Sequence, residues 1–206
     1  NGGTASATMI SSGTQNVNKG GVATDTVISG LFAAQNIANG GSGLATSIAL
    51  GGEQNISGGG YGSVATIDYG TQNISSGGVG SAGTIGAGLT GDSTGLQVLN
   101  GVQVIYSGGT GTVTNLIASA VTDYDGTVET MHGMQIIESG VGNVTTLNGG
   151  EQLVSGGTGT VAVLSDGWQL VNSGTGSVAT MSGGTQLVSS GMGSVDSTLI
   201  RELLNN

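Results

Sequence analysis

The sequence contains neither cysteine nor proline, and it has little charge. Without cysteine, the chain can form no disulfide and no cysteine-ligated metal site. Proline would remove hydrogen-bond donors from a stacked sheet, so its absence is compatible with continuous strand pairing. Only Lys19 and Arg201 are basic, and the net charge of −10 argues against a nucleic-acid partner, which needs basic patches. No apolar run reaches the ~18 residues of a membrane-spanning helix.

The sequence does contain a repeat. One copy reads GEQLVSGGTGTVAVLSD at residues 150–166, and the next reads GWQLVNSGTGSVATMSG at residues 167–183. The frame is G-x-Q-φ-φ-S-x-G-x-G-[ST]-V-x-x-φ, where φ is apolar. The glutamines follow one another at intervals of 20, 19, 18, 31, 32, 17, 17 and 17 residues: Gln15, Gln35, Gln54, Gln72, Gln103, Gln135, Gln152, Gln169 and Gln186. Such a period is the signature of a stacked repeat architecture.

The two long intervals contain segments similar to the second half of the repeat. Residues 95–101 read GLQVLNG, which matches GNVTTLNG at residues 142–149, and residues 126–133 read GTVETMHG, which matches GSVATMSG at residues 176–183. We therefore expect each long interval to hold an extra copy of the second half-repeat. This gives about eleven full or partial coils along the chain.

The repeat unit predicts strands rather than helices. It is too short for two helices or for a propeller blade, and each of the 44 glycines would cost about 1 kcal/mol against alanine inside a helix. Short runs of Val, Ile and Leu between Gly, Ser and Asn are typical of strands joined by turns. Stacking such coils about 4.8 Å apart would bury their apolar sides. We therefore predict an all-β fold, a parallel β-helix (solenoid) about 50 Å long that forms one domain over residues 1–206.

Two sets of apolar residues are predicted to form the core. The first follows the glutamines and comprises Val17, Ile37, Ile56, Ile74, Ile105, Ile137, Val154, Val171 and Val188. The second comprises the pairs Val64/Ile67, Val113/Leu116, Val128/Met131, Val144/Leu147, Val161/Leu164 and Val178/Met181. The spacing of three within each pair predicts a bend, because a straight strand has a period of two. Glycine pairs such as 58–59, 77–78, 108–109 and 156–157 are predicted to supply positive φ at the corners.

The repeat varies along the chain. Residues 1–12 are expected to form a partial first coil, and residues 13–88 form four coils in which asparagine follows glutamine. Residues 89–132 are expected to form irregular coils with protruding loops at 88–95 and 117–126, residues 133–200 regular 17-residue coils, and residues 201–206 a tail. Residues 197–206 do not follow the repeat pattern. We interpret them either as a short helix that caps the last coil or as the end of the fragment. Because the chain starts and ends within the pattern, we interpret it as a segment of a longer protein.

The residue after each glutamine points to a change of surface along the rod. It is asparagine in the first coils, at Asn16, Asn36, Asn55 and Asn73, and apolar from residue 101 onwards, at Val104, Ile136, Leu153, Leu170 and Leu187. Stacked asparagines predict either a structural ladder of amides bonded along the axis or an outward polar strip that pairs with another molecule. We expect lateral association of rods through this strip, carried by hydrogen bonds.

Two Ser/Thr edges are the other candidate surface. One follows the first strand, at Ser57, Ser75, Ser107, Ser139, Ser155, Ser173 and Ser189, and the other precedes the second apolar set, at Ser63, Ser81, Thr112, Thr160, Ser177 and Ser194. Short hydroxyl side chains bond to local backbone at turns, which is one interpretation. The other interpretation is a regular array of O-glycan acceptors at exposed turns.

Several motifs that suggest a ligand lack the residues that would bind it. The GxGxxG match at residues 78–83 lacks the strand–turn–helix context of a phosphate site. The GGxG elements lack the aspartate row of a calcium-binding β-roll. We read the turn at residues 123–126 as solvated, His132 as a corner residue and Trp168 as a surface aromatic. We expect no catalytic site, metal or cofactor, and the scarcity of basic residues argues against a polysaccharide-cleaving enzyme.

The copies at residues 51–67, 70–85 and 149–164 approach the string G-[TE]-Q-x-V-x-S-G-G-x-[AG]-x-[ST]-x-[VA]-x-x-G. This string resembles the repeats of AIDA-type self-associating autotransporter adhesins over nearly the whole chain, although the 17-residue units are shorter than the common 19. The resemblance implies a right-handed β-helix in a passenger anchored to the bacterial outer membrane by a barrel outside this sequence. It implies autoaggregation, biofilm formation and adherence, with copies on neighbouring cells or a host-cell receptor as partners. It also implies heptosylation of Ser and Thr by a cytoplasmic O-heptosyltransferase.

Overall fold

The computed structural model describes residues 2–92, 95–122 and 128–198. These residues form 21 strands and no helix, so none of them supplies a helix able to cross a membrane. The first ten strands are β1 Thr4–Ser6, β2 Met9–Ile10, β3 Gly13–Val17, β4 Val22–Thr24, β5 Val27–Ser29, β6 Ala33–Ile37, β7 Ser42–Ala49, β8 Glu53–Ile56, β9 Tyr61–Asp68 and β10 Thr71–Ile74. The others are β11 Val79–Asp92, β12 Gly95–Asn100, β13 Val102–Ile105, β14 Thr110–Thr122, β15 Val128–His132, β16 Met134–Ile137, β17 Val141–Val154, β18 Thr158–Val171, β19 Thr175–Met181, β20 Thr185–Val188 and β21 Met192–Thr198.

The strands stack in parallel, one coil above the next. The glutamine-bearing strands pair in the order β3, β6, β8, β10, β13, β16, β17, β18 and β20, with glutamine opposite glutamine at every step. The predicted parallel β-helix is therefore confirmed, with about ten turns. At about 4.8 Å per coil, Gln15 and Gln186 lie about 38 Å apart along the rod.

The expected extra half-repeats are wrong. Residues 95–100 form β12, which pairs antiparallel with the end of β11, and β15 pairs antiparallel with the end of β14. Both segments are therefore return strands of β-hairpins, which accounts for a coil count nearer ten than eleven. The coils on either side stack directly, since Gln72 pairs with Gln103 and Ile85 with Leu116.

The predicted loops at residues 88–95 and 117–126 are consequently mostly strand. The base of the first hairpin is closed by the Gly101 N–H, which donates to the Gly86 carbonyl at 2.7 Å. The base of the second is closed by the Gly133 N–H, which donates to the Ile117 carbonyl at 2.8 Å. Residues 93–94 and 123–127, which include the turn at 123–126, lie outside the described residues, as do residues 199–206 with most of the predicted cap and tail.

The core follows the two predicted sets, with exceptions at the end coil and at the second hairpin. In the first set, all members are buried except Val188, which is 38% exposed in β20. In the second set, the pair Val128/Met131 is wrong, because Val128 lies on the hairpin and is 62% exposed. The predicted bend is confirmed in β9, where Ala65 and Thr66 both face outwards between buried Val64 and Ile67.

The glutamines lie inside this core. Seven of them have no exposed surface, and each side-chain Nε2 donates to the Oε1 of the glutamine one coil below at 2.6–2.8 Å. The sequence identified these residues only as markers of the period. Their mutual hydrogen bonds satisfy polar groups that would otherwise destabilise the buried interior.

The corner glycines serve two purposes. Gly58 and Gly59 both have positive φ, of 55° and 76°, as predicted. In each of the other three predicted pairs, only one glycine has a positive φ. The second member of the next pair, Gly78, is needed for space instead, because a Cβ there would lie 2.6 Å from the Ile56 carbonyl oxygen.

Candidate functional site

The four asparagines that follow the buried glutamines form an outward ladder, here called the Asn row. The Nδ2 of each of the last three donates to the Oδ1 of the asparagine below, at 3.1 Å from Asn36 to Asn16, 3.0 Å from Asn55 to Asn36 and 2.9 Å from Asn73 to Asn55. The first asparagine is exposed and the other three are half-buried. Each amide inside the ladder uses one N–H and one oxygen lone pair for hydrogen bonds to its two neighbours. Its second N–H and its second lone pair are not used by the ladder. The structural ladder interpretation is thus confirmed.

The outward surface changes after Asn73. The next residue in register is Val104, followed by Ile136, Leu153, Leu170 and Leu187, here called the aliphatic row. Leu187 is 54% exposed and the other four are half-buried. The two halves of the rod therefore present different surfaces on the same face, as the sequence predicted.

The serines after the first strand do not form one row. At the first position after each glutamine-bearing strand from β6 onwards, a backbone N–H donates to the coil below. The residues at this position are Ala38, Ser57, Ser75, Tyr106, Glu138, Ser155, Asn172 and Ser189. Of the predicted residues, Ser57, Ser75, Ser155 and Ser189 thus lie at this first position. The three others, Ser107, Ser139 and Ser173, lie one residue further along the turn, where they are exposed.

The second hydroxyl edge lies on a sheet face. Ser63, Ser81, Thr112, Thr160, Ser177 and Ser194 are in register, with Asn143 between Thr112 and Thr160. They are within β9, β11, β14, β18, β19 and β21, so their predicted placement at turns is wrong. The turn ends earlier in each coil, at the glycines before the strand.

A shallow groove of about 310 Å³ runs along this second edge in the last coils. Its lining includes Asn143, Thr160, Ser177 and, at one end, Asp196. The Thr160 Oγ1 donates to the Asn143 Oδ1 at 2.6 Å, which fixes the Asn143 amide along the groove. The groove offers hydroxyl and amide groups at a regular spacing, without a cluster of acidic residues.

His132 and Trp168 form one aromatic contact. His132 is the last residue of β15, and its Nδ1 lies in hydrogen-bond contact with the Gly149 carbonyl. Its ring meets that of Trp168 edge to face, with centroids 5.1 Å apart at 75°. Trp168 points outwards on the face of the aliphatic row and is 42% exposed, which confirms it as a surface aromatic. The contact joins the end of the second hairpin to the next coil of the rod.

Within residues 2–92, 95–122 and 128–198, no group of three or more His, Asp or Glu side chains is arranged to hold a metal ion. The described surface instead carries long rows of amide, hydroxyl and aliphatic groups. Comparison with protein-family models and with curated proteins found no match to the chain. The relation to AIDA-type adhesins therefore stays a prediction that depends on the repeat alone.

Proposed function

We propose that the chain is a non-catalytic, rod-like segment of a bacterial cell-surface adhesin, which joins cells by side-by-side association of rods. One observation carries the proposal: the parallel register runs from Gln15 to Gln186, so outward side chains of successive coils form straight rows. A straight row repeats the same group every ~4.8 Å, which favours many weak contacts over one deep site. The resemblance of the repeat to AIDA-type adhesins supports the same function, with anchoring at the outer membrane and a role in biofilms.

The Asn row is the first contact surface in this proposal. The ladder holds each amide in a fixed orientation, which lowers the entropy lost when a partner binds. One amide hydrogen bond contributes only about 1 kcal/mol net. A row of four, repeated over many molecules on one cell, reaches useful strength through multivalency. The partner is another copy on a neighbouring cell, or a host-cell receptor with matching polar groups.

The hydroxyl edges are candidate acceptors for O-linked heptose. Ser107, Ser139 and Ser173 favour this interpretation, because they are exposed on turns where a transferase has access. The serines and threonines of the sheet face are mostly half-buried, so we expect lower occupancy there. Co-expression with an O-heptosyltransferase followed by intact-mass measurement tests the assignment. Regular increments of one sugar per site, lost on serine-to-alanine substitution at the three turn positions, would support it, and an unmodified mass would contradict it.

A second candidate function is a purely structural stalk. The fold, with its stack of about ten turns, is compatible with a stalk, because a rod of this kind can hold another domain away from a surface. A stalk requires no contact between rods. The two functions therefore differ in whether the isolated segment associates with itself.

Clustering of coated beads decides between them. The full 206-residue chain is attached by one end to beads, and cluster size is followed by light scattering. We expect clustering that increases with salt, because screening weakens the repulsion between copies of net charge −10. Replacement of Asn36, Asn55 and Asn73 by alanine is expected to reduce it, whereas alanine at Ser107, Ser139 and Ser173 is the matched control. Beads that stay dispersed at every salt concentration would favour the stalk, and clustering abolished by salt would contradict the mechanism.

A further inference from the structure

The strongest unexplained feature of the rod is an apolar patch on its outer face. The aliphatic row is accompanied by the outward residues two positions earlier in the same strands, Val102, Met134, Glu151, Trp168 and Thr185. Of these ten side chains, only that of Glu151 is charged. We call the ten residues the aliphatic face.

The fold does not require this composition. In β8 and β10 the same outward position holds Asn55 and Asn73, although the inward residues are again a glutamine and a β-branched aliphatic residue. An outward row in contact with water is expected to be polar, as it is in those coils. Most of the apolar side chains of the aliphatic face are half-buried, and Trp168 and Leu187 are exposed, so the face is a small apolar strip in contact with water.

We propose that the aliphatic face is the surface through which two copies of this chain pack face to face. This inference rests on the proposed self-association and adds a second contact surface to the Asn row. The side chains of one rod lie about 4.8 Å apart along its axis, and a second copy has the same spacing. Its aliphatic side chains can therefore pack between coils along the whole face, as in the packing of two sheets about 10 Å apart.

Charge also favours a second copy. The chain has twelve acidic and two basic residues, so two copies repel each other overall. The aliphatic face carries the single carboxylate of Glu151 and is thus a region where like-charged rods can approach closely. Desolvation of this one carboxylate opposes the contact, which makes Glu151 a useful probe.

The size of the face sets the strength of the contact. Five strands about 4.8 Å apart and two rows about 7 Å apart give roughly 250 Å² for each copy. The total of roughly 500 Å² is well below the ~1,200 Å² of a stable interface. The contact is therefore weak between dilute molecules and becomes effective where many rods are held close together.

The test uses the full chain on beads, as above, with four proteins. In the loss variant, Leu153→Asn and Leu170→Asn introduce the residue that the same position already holds in β8 and β10, so the fold is retained. In the gain variant, Glu151→Leu removes the carboxylate from the face. Its matched control is Glu53→Leu, which makes the same substitution and the same change of charge at the equivalent position of β8, beside the Asn row.

We expect clustering to fall about tenfold in the loss variant and to rise more in Glu151→Leu than in Glu53→Leu. Circular dichroism of each protein establishes that the coils are intact. Equal clustering of the wild-type chain and the loss variant would overturn the inference while leaving the proposed self-association in place. An equal rise in Glu151→Leu and Glu53→Leu would also overturn it, because the effect would then not be specific to the aliphatic face. Wild-type beads that do not cluster would overturn both proposals.

Discussion

Gly62 lies directly against the buried side-chain amide of Gln54. A Cβ at Gly62 would be 2.7 Å from the Gln54 Oε1 and 2.4 Å from the Ile56 Cδ1. The same relation joins Gly111 to Gln103, where the corresponding distance to Oε1 is 2.6 Å. The glycine of the repeat is therefore the steric counterpart of the glutamine, since an amide ladder fits inside so narrow a rod only where the opposite strand has no side chain.

Replacement of Gly111 by alanine is predicted to destabilise the rod by about 1–3 kcal/mol. The added methyl group would overlap both the Gln103 amide and the Ile105 Cδ1, and interiors tolerate such overpacking poorly. The midpoint of urea unfolding, followed by circular dichroism, measures the effect. Gly3→Ala is the control, because nothing lies within 4 Å of a Cβ at Gly3. Equal midpoints for the two variants would contradict the steric account.

Replacement of Gln103 by leucine is predicted to cost more than the same change at Gln15. At the centre of the rod, the substitution leaves the Gln72 Oε1 and the Gln135 Nε2 without partners in the core. An unsatisfied buried polar group costs about 1–3 kcal/mol. At the end, Gln15 accepts only from Gln35 and is itself half-buried, so one bond is lost where water has access. The difference between the thermal midpoints of the two variants measures the extra cost of breaking the ladder at its centre. Equal shifts of the two midpoints would contradict that cost.

The register of the rod could be predicted from the sequence because each coil carries the same marker in the same place. The hairpins could not, because a return strand such as β12 has the apolar residues and the terminal glycine of a true half-coil. A return strand and a true half-coil differ in their pairing partner. The return strand pairs with the strand before it, whereas the half-coil pairs with the coil below. That choice depends on long-range packing and leaves no local signal.

The serines of the turns illustrate the same limit on a smaller scale. Alignment by residue type places Ser75 and Ser107 in one row. The hydrogen bond from the Tyr106 N–H to the Ile74 carbonyl shows that Tyr106 occupies the position of Ser75, and Ser107 follows it. Turns of the repeat differ by single residues, so only the backbone hydrogen bonds establish which side chains lie above one another.

The contact between His132 and Trp168 predicts a fluorescence change. Trp168 is the only tryptophan, and the His132 ring contacts its indole ring edge to face. In His132→Ala we expect emission at longer wavelength and stronger acrylamide quenching, because more of the indole meets water. His132→Phe retains an aromatic ring in edge contact and is expected to resemble the wild type. An unchanged spectrum in His132→Ala would mean that the hairpin does not rest on the rod in solution.

Removal of the first hairpin is predicted to leave the rod intact. Deletion of residues 87–99 joins Gly86 to Asn100 and leaves a spacing of five from Ile85 to Gln103, the same as from Leu164 to Gln169 in a regular coil. The ends already meet, since the Gly101 N–H donates to the Gly86 carbonyl, and Gln72 already pairs with Gln103. We expect a thermal midpoint within a few degrees of wild type, because β10 and the first part of β11 already pair directly with β13 and β14 of the next coil. Deletion of residues 150–162, of equal length, removes Gln152 and Val161 and shifts the register, so it is expected to unfold the neighbouring coils. A hairpin deletion as damaging as this control would mean that residues 95–100 are part of a coil after all.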